Sequence, residues 1–264
     1  MLAHRTSPTN MGLYLLSIVT ARDLGWAGTL DTVERLESTL AAMNRLERCR
    51  GHFYNWYDTQ DLRPLEPKYI SSVDSGNLTA HLLTLANACE GMLEGRAADQ
   101  EILTGIGDGI ALAREALNQP LDKDLTKLLD EMDAQLAQCS LMPSRLAESL
   151  AALATRAFAF NGRAAQLWGD NTNEPSAETA VWARATLLTI ESHQRDITPS
   201  SPDGSASLKQ RLHALAAISR SLAAEMRFDF LFDPERKLLS IGYRVHEGSL
   251  DPSCYDLLAS EARL

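Results

Sequence analysis

The sequence of 264 residues lacks any long apolar run, has only four cysteines and is poor in aromatic residues, which make up 6% of the chain. No stretch approaches the roughly 20 apolar residues that cross a membrane, and no charged segment followed by an apolar one opens the chain as a signal peptide would. The cysteines are scattered without metal-ligand spacing, which favours reduced thiols over a disulfide framework. We therefore expect a soluble, cytoplasmic segment with no direct membrane contact.

Positive charge is also scarce in this chain. Lys and Arg number 25 against 35 Asp and Glu, which gives a formal net charge of −10. Such a chain repels phosphate backbones, and no cluster of basic residues offers a local exception. We therefore expect no nucleic-acid partner.

Metal and nucleotide sites find no support in the sequence either. The six histidines show no pairwise zinc spacing, and no acidic cluster resembles a calcium loop. The glycine-rich run from Gly105 to Gly109 follows no strand and lies within a helical pattern, which argues against a phosphate-binding loop. No metal and no other cofactor is predicted.

Most of the chain has the apolar periodicity of helices. Ser7 as N-cap with Pro8 at the first helical position predicts one helix start, and apolar residues recur at helical spacing over 30–47. A third helix is expected from Asn77. Alternating phenylalanines before an Asp-Pro turn predict one small β-hairpin near 228–243. Five more helices are predicted in an Ala- and Leu-rich stretch, over 101–117, 121–138, 144–159, 176–193 and 207–226.

Residues 51–77 combine aromatic, carboxylate and amide side chains in a stretch that fits neither a helix nor a strand pattern. That mixture suits stacking on sugar faces and hydrogen bonding to sugar hydroxyls, so carbohydrate is the first ligand expected. The candidate substrate-binding residues in this segment are Asn55, Trp56, Tyr57, Asp58, Asp74, Ser75 and Asn77.

Several of these candidates have a structural alternative. Of the neighbours Trp56 and Tyr57, one is expected to face a core and the other a ligand, and Tyr57 is favoured as the ligand-side residue. Asp74 suits capping of the helix that follows as well as it suits ligand contact. For Asp58 two roles also remain, stabilisation of its own loop and contact with a ligand.

A second run of similar character occupies residues 232–263. In its last, helix-like part, Glu261 shares a face with leucines three and four residues away. A carboxylate there either pairs with a cation such as Arg263 or Arg5, or lines a cavity as a general acid would. The further candidates for substrate binding in this run are Tyr243, Tyr255 and Asp256.

These two runs, together with the opening segment 4–10, resemble the glucoamylase-like region of bacterial cyclic β-1,2-glucan synthases. The resemblance is close over residues 3–92 and 226–264 and is limited to helical character between them. It implies an all-α fold in which residues 1–264 form the N-terminal half of a single (α/α)6 barrel domain, with the small β-hairpin added. It also implies a very large parent protein, anchored in the bacterial inner membrane, with a glycosyltransferase part that uses UDP-glucose and a phosphorylase-like part.

The same resemblance implies that the chain binds linear β-1,2-glucan and takes part in closing it into rings by transglycosylation. Because the linkage broken and the linkage formed are both β, the reaction retains configuration and requires two acids. Glu261 is the candidate acid/base, and the second acid is expected beyond Leu264. The implied partners are β-1,2-glucan and the remaining domains of the parent synthase, and the segment alone is expected to be inactive. Two alternatives stay open, an endo-β-1,2-glucanase and a non-catalytic glucan-holding module.

Overall fold

The computed structural model describes residues 3–95, 98–117, 122–141, 145–168, 177–198 and 202–254. These residues are mostly helical with a few small strands, which confirms the fold class in its coarse form, and among them no closed barrel is found. The helices are α1 Pro8–Asp23, α2 Thr29–Asn44, α3 Ser72–Gly91, α4 Asp99–Ala116, α5 Lys123–Leu141, α6 Leu146–Trp168, α7 Ala177–Ile197 and α8 Pro202–Glu225. The strands are β1 Arg5–Thr6, β2 Arg48–Cys49, β3 His52–Phe53, β4 Tyr57–Asp58, β5 Tyr69–Ser71, β6 Phe232–Asp233, β7 Leu238–Leu239, β8 Gly242–Arg244 and β9 Ser249–Leu250.

The chain divides into two compact units. The first unit is discontinuous in sequence and comprises Met1–Ile18, Arg35–Leu93 and Lys209–Leu264. The second unit comprises Val19–Glu34 and Glu94–Leu208. That both units belong to one domain stays a prediction.

The second unit is built around a four-helix bundle of α4, α5, α6 and α7. Each of these helices packs on the next, and α7 packs back on α4, which is the neighbour order of an up-down bundle. All four helices contribute apolar side chains to one buried core. Its members include Ile106, Ile110, Leu129, Met132, Leu153, Phe160, Ala183 and Ile190.

The glycine-rich run of α4 serves packing within this unit. Gly105 lies against the backbone of the α1–α2 turn at Gly25, where a Cβ on Gly105 would collide, and Gly109 lies against Thr186 of α7. Gly25 has a φ of 76°, a left-handed conformation that favours glycine. The run is helical, as predicted, so its glycines are explained by close helix packing.

The helices of the first unit pair in parallel as well as antiparallel fashion. Thr9 of α1 donates a hydrogen bond to Asp74 of α3, and one turn further along α1 a Cβ on Gly12 would collide with His81. From the first contact to the second, the residue numbers increase along both helices, so α1 and α3 run parallel. Their side-by-side packing uses Gly12 as the point of close approach.

Helices α2 and α8 form a second parallel pair in the first unit. Glu37 of α2 accepts from Arg211 of α8 at 2.7 Å, and Arg48, just after α2, bonds Glu225 at the end of α8 at 2.8 Å. Helix α8 is antiparallel to α3, since Arg220 bonds Glu90 near the end of α3, whereas residue 226 lies beside Thr79. The unit therefore contains two parallel pairs that oppose each other in direction.

Of the two helix starts that capping residues define, one was predicted correctly and one was not. Ser7 Oγ accepts from the backbone N–H of Asn10 at 3.2 Å, so α1 begins at Pro8 as predicted. Helix α3 begins at Ser72 instead of Asn77, because Ser71 is its N-cap and its Oγ accepts from Asp74 N–H at 3.2 Å. The prediction for this helix was therefore wrong by about one turn and a half.

The strands are short and all pair antiparallel, as β1–β4, β2–β3, β6–β7 and the three-stranded sheet β5–β8–β9. The predicted hairpin exists as β6–β7, but residues 229–231 form a 3-10 turn, so the alternation of phenylalanines does not reflect a strand. Segment 51–77 contains β3, β4 and β5, contrary to the prediction. Strands of two or three residues are too short to show a period of two.

Candidate functional site

The three-stranded sheet of the first unit brings together the two segments that the sequence analysis selected as candidate sugar-binding segments, 51–77 and 232–263. Residues Tyr69, Ile70 and Ser71 of β5 pair with Arg244, Tyr243 and Gly242 of β8. Ser72 adds a hydrogen bond of 2.6 Å from its Oγ to the carbonyl of Ser240. The run 51–77 and the described part of the second run, up to residue 254, are therefore neighbours.

Asp74 lies at the centre of a polar network on this side of the unit. One carboxylate oxygen accepts from the hydroxyl of Thr9, and the other faces Asn55. With the Asn55 amide turned so that its nitrogen donates to Asp74 at 3.2 Å, its oxygen accepts from Trp56 Nε1 at 3.2 Å. Asp74 is in the first turn of α3, where the helix dipole favours a negative charge. Its carboxylate thus orients Asn55 and Trp56, while Ser71 is the N-cap.

Trp56 is a partly exposed aromatic residue beside this network. The guanidinium carbon of Arg5 lies 4.5 Å from the centre of the indole ring, a cation–π distance. The pairing of β1 with β4, with Thr6 opposite Tyr57, brings Arg5 to this position. Trp56 and Arg5 together form an amphipathic platform, which we call the Trp56 platform.

Tyr57 is a core residue, and its predicted role in stacking on a ligand is wrong. Its side chain is 0% exposed. The phenol donates to the carbonyl of Glu47 at 2.6 Å and accepts from the backbone N–H of Tyr54 at 2.8 Å. Burial raises the pKa of Tyr57. Of the two neighbouring aromatic residues, Tyr57 faces the core and Trp56 faces outward.

Of the remaining candidate substrate-binding residues, some hold the local structure in place and others are partly exposed to solvent. Asp58 accepts from the backbone N–H of Gln60 at 2.7 Å, so one of its oxygens braces the turn that follows β4. Ser75 is buried and bonds His52. Asn77 is partly exposed on α3, and Tyr243 is partly exposed on β8. Three candidates lie outside the described residues, namely Tyr255, Asp256 and Glu261.

Arg50 forms a second cation–aromatic arrangement that sequence reasoning missed. Its guanidinium carbon lies 4.5 Å from the ring centre of Phe230 and 5.6 Å from that of Tyr243. The two rings meet edge to face at 5.2 Å. Tyr243 is therefore held in place by Phe230 and Arg50. No local sequence signal marks this group, because its members come from distant segments.

His52 is a second residue that the sequence did not reveal. It is fully buried, its Nε2 lies 2.8 Å from the carbonyl of Arg227, and its Nδ1 lies 2.9 Å from the hydroxyl of Ser75. This arrangement suits a neutral ring that donates through Nε2 and accepts through Nδ1. Burial lowers the pKa of His52 even though the Arg227 carbonyl opposes this shift. The histidine thus ties segment 51–77 to the segment after α8.

Acidification is expected to destabilise the first unit through His52. The unfolded chain takes up a proton near the ordinary pKa of 6.5, whereas the folded chain, whose pKa is lowered, stays neutral to lower pH. The free energy of unfolding should therefore fall as the pH drops below about 6.5. Urea denaturation at pH 7.5 and 5.5 would measure this loss. His52→Asn should show a smaller loss than the wild type, and an equal loss in both would assign the effect to other groups.

The described residues contain no candidate metal site. No three or more His, Cys, Asp or Glu side chains among them are grouped so that they could hold a metal ion. Within the described ranges, no helix combines the length and the apolar character that crossing a membrane requires. The four cysteines are free thiols, and burial raises the pKa of Cys89 to about 11.

Comparison with known proteins agrees with the resemblance found in the sequence. No model of a protein family matches the chain. The chain is 43% identical to the protein described as cyclic beta-(1,2)-glucan synthase NdvB of Rhizobium meliloti (strain 1021), over 274 aligned positions that include the whole of this chain. The chain spans 10% of that relative's length. The predicted similarity to a segment of such a synthase is confirmed.

Proposed function

We propose that this chain, as the counterpart of one segment of a cyclic β-1,2-glucan synthase, binds linear β-1,2-glucan through its first unit. The observation that carries the proposal is the pairing of β5 with β8, which joins the two aromatic and polar runs. The backbone N–H of Asn55 donates to the carbonyl of Tyr69 at 2.8 Å, so the Trp56 platform is connected to this sheet. Aromatic, amide and guanidinium groups then lie within one small region.

The chemistry of this region fits a neutral sugar polymer. A glucose ring offers an apolar C–H face to an aromatic ring and hydroxyl groups to amides and charged side chains. Trp56 is partly exposed and is oriented by Asn55, and Arg5 adds hydrogen-bond donors beside it. An uncharged polysaccharide is also compatible with a net charge of −10, which would repel an anionic ligand.

The reaction that we propose for the parent protein is retaining transglycosylation that closes the glucan into a ring. Retention requires a covalent intermediate or two inversions, and either route needs two acids. Glu261 is our candidate for the acid/base, and the second acid would come from another part of the parent. The parent's other domains and its anchoring in the bacterial inner membrane belong to the same proposal.

The helix directions in the first unit support an (α/α)6 toroid as the complete fold. A toroid of helical hairpins has two layers, and the helices within each layer are parallel. The pairs α1–α3 and α2–α8 agree with such layers, because each pair is parallel and α3 runs opposite to α8. We propose that these four helices are consecutive members of the two layers, and along the chain the helices of the four-helix bundle come between the third and the fourth.

Two other functions remain as alternatives to ring closure. An endo-β-1,2-glucanase would use the same acids but pass the glycosyl unit to water, and a non-catalytic module would only hold the glucan. Product analysis with the complete parent protein separates the three functions. Rings support transglycosylation, short linear oligosaccharides support hydrolysis, and unchanged glucan supports the holding module.

Replacement of Trp56 by alanine is expected to weaken glucan binding by about 1–3 kcal/mol, since it removes one stacking face. Isothermal titration of the chain with linear β-1,2-gluco-oligosaccharides would measure this loss. Trp26→Ala is the matched control, because Trp26 is 48% exposed and its Nε1 also bonds a side chain, that of Asp108 in the second unit. Equal affinities for the two variants would contradict the assignment of Trp56.

A further inference from the structure

Arg50 has a backbone conformation that arginine rarely adopts. It is the first of the two residues that join β2 to β3, since Cys49 pairs with His52 across the hairpin. The φ angles are 53° at Arg50 and 85° at Gly51, and two positive φ angles are typical of a type I′ turn. Such a turn favours asparagine, aspartate or glycine, because a larger side chain crowds the backbone there. Arginine at this position therefore lowers the stability of the turn relative to asparagine.

The Arg50 side chain lies on two aromatic rings and keeps its hydrogen-bond donors free. The stacking on Phe230 and Tyr243 fixes the guanidinium in one place, although the residue is exposed. Among the residues that the structure describes, this guanidinium makes no hydrogen bond, and neither does the hydroxyl of Tyr243. The site thus combines oriented donors and a hydroxyl group that the fold itself does not use.

The contact with the rings is a weak reason for an arginine here. A cation–π contact at an exposed site contributes little to stability, and the unfavourable φ of Arg50 opposes that contribution. An unfavourable conformation that presents unused polar groups is a feature of binding sites. Arg50 therefore fits a role in ligand contact better than a role in holding the two hairpins together.

We propose that Arg50 and Tyr243 form a second contact site for β-1,2-glucan, in addition to the Trp56 platform. This inference rests on the glucan binding proposed above. In a β-1,2-linked glucose unit the linkages use the oxygens on carbons 1 and 2, so the hydroxyls on carbons 3 and 4 are free and adjacent. The planar guanidinium can donate two N–H groups to such a pair of oxygens. The Tyr243 hydroxyl can donate or accept one further hydrogen bond.

The charges around Arg50 favour a neutral ligand over an anion. Asp229 bonds Arg227 at 3.1 Å, and this contact lowers the pKa of the Asp229 carboxyl, with a smaller contribution from the positive charge of Arg50. A carboxylate near Arg50 repels a phosphate or a second carboxylate but accepts hydrogen bonds from hydroxyl groups. Donors and an acceptor at one site match the hydroxyls of a sugar, which both donate and accept.

The second site and the Trp56 platform are carried by neighbouring stretches of backbone. The N–H of Asn55 donates to the carbonyl of Tyr69 at 2.8 Å, and the next residue, Ile70, pairs with Tyr243. Asn55 and Tyr243 are therefore separated by about two strand spacings of roughly 4.8 Å each. A linear polymer that reaches both sites binds more tightly than it would at either one alone.

Arg50→Asn tests the site without damaging the turn, because asparagine is favoured at positive φ. We expect the midpoint of urea denaturation to stay unchanged or rise. Isothermal titration should show an affinity for linear β-1,2-gluco-oligosaccharides about tenfold lower, the order of a hydrogen bond to a charged group. Lys237→Asn is the matched control, since Lys237 is also basic and exposed, with a φ of 55°, in the turn between β6 and β7. It should leave the affinity unchanged.

Tyr243→Phe removes one hydroxyl and retains the ring packing, so it should weaken binding by about three- to tenfold at an unchanged midpoint. Unchanged affinity of Arg50→Asn, or equal losses in Arg50→Asn and Lys237→Asn, would overturn the second site. If Trp56→Ala still weakened binding, the proposed function would stand, whereas no binding by the wild-type chain would overturn both. If Arg50→Asn lowered both midpoint and affinity, Tyr243→Phe decides, with a loss of affinity supporting the site and unchanged affinity overturning it.

Discussion

Replacement of Glu261 by glutamine in a full-length synthase is expected to lower ring formation by about 10²–10⁴-fold, the usual loss when a general acid–base group is removed. Glutamine keeps the size and hydrogen-bonding shape of glutamate but cannot deliver or accept a proton at neutral pH. Linear glucan should therefore accumulate while binding and folding persist. Chromatography of the glucan products, with ring and linear chains quantified against time, would measure the effect.

Glu235→Gln provides a control for this measurement. Glu235 is exposed in the turn between β6 and β7, where the same substitution changes the charge but no part of the proposed site. Near-normal ring formation by Glu261→Gln would remove Glu261 from the mechanism and leave it a structural role. Loss of folding would also favour a structural ion pair, because an acid that only lines a cavity tolerates an isosteric amide.

Tyr57→Ala is expected to destabilise the first unit by about 3–5 kcal/mol, the range for removal of a large buried aromatic ring. The variant empties a fully buried position and removes the partner of both Glu47 and Tyr54. Urea denaturation followed by tryptophan fluorescence would show the loss as a lower midpoint. A loss of this size would be a large part of the stability of an ordinary domain.

Tyr57→Phe separates the ring from its hydroxyl. It retains the packing volume but leaves the Tyr54 N–H and the Glu47 carbonyl without this partner, which should cost about 1–3 kcal/mol. The two variants should therefore rank in the order alanine, phenylalanine, wild type. If Tyr57→Ala left the denaturation midpoint unchanged and weakened glucan binding, the stacking role would have to be restored to Tyr57.

Local sequence signals were sufficient where a side chain acts on its own backbone. Ser7 and Pro8 defined the start of α1 because capping and a fixed φ are local effects. Ser71 and Asn77 both suit a helix N-terminus, and the choice of Ser71 depends on the pairing of β5 with the distant β8. Long helices were therefore predictable, whereas short strands and the start that depends on them were not.

The roles of Trp56 and Tyr57 could not be assigned from the sequence. Adjacent residues in an extended segment point to opposite sides, so a one-residue shift exchanges the inner and the outer residue. The register is fixed here by the pairing of β4 with β1 and by the hydrogen bond from the Tyr57 hydroxyl to the Glu47 carbonyl. Both contacts come from outside the local pattern.

The resemblance to glucan synthases was close over residues 3–92 and 226–264, and these segments, apart from Val19–Glu34, fall within the first unit. The middle of the chain contains the four-helix bundle, for which many Ala- and Leu-rich sequences suffice. A core that requires only apolar residues of suitable size leaves little recognisable sequence. The aromatic and polar network around Asp74 needs particular side chains, so its sequence is distinctive.

Because the first unit is made of three separate stretches of the chain, it can be completed on the ribosome only after the last stretch has been synthesised. Ser72 and its partner Ser240 are separated by 168 residues, and synthesis at about 5–20 residues per second takes roughly 8 to 34 s to cover that interval. Throughout this time the segment from Gly51 to Ser71 has emerged, yet β8 does not exist. The helices of the bundle are complete first and have only local partners to find, so they can fold during translation. Nascent chains halted just before β8, with the bundle helices already outside the ribosome, should thus carry a folded bundle alongside an exposed, protease-sensitive segment that becomes structured only when the last strands are made.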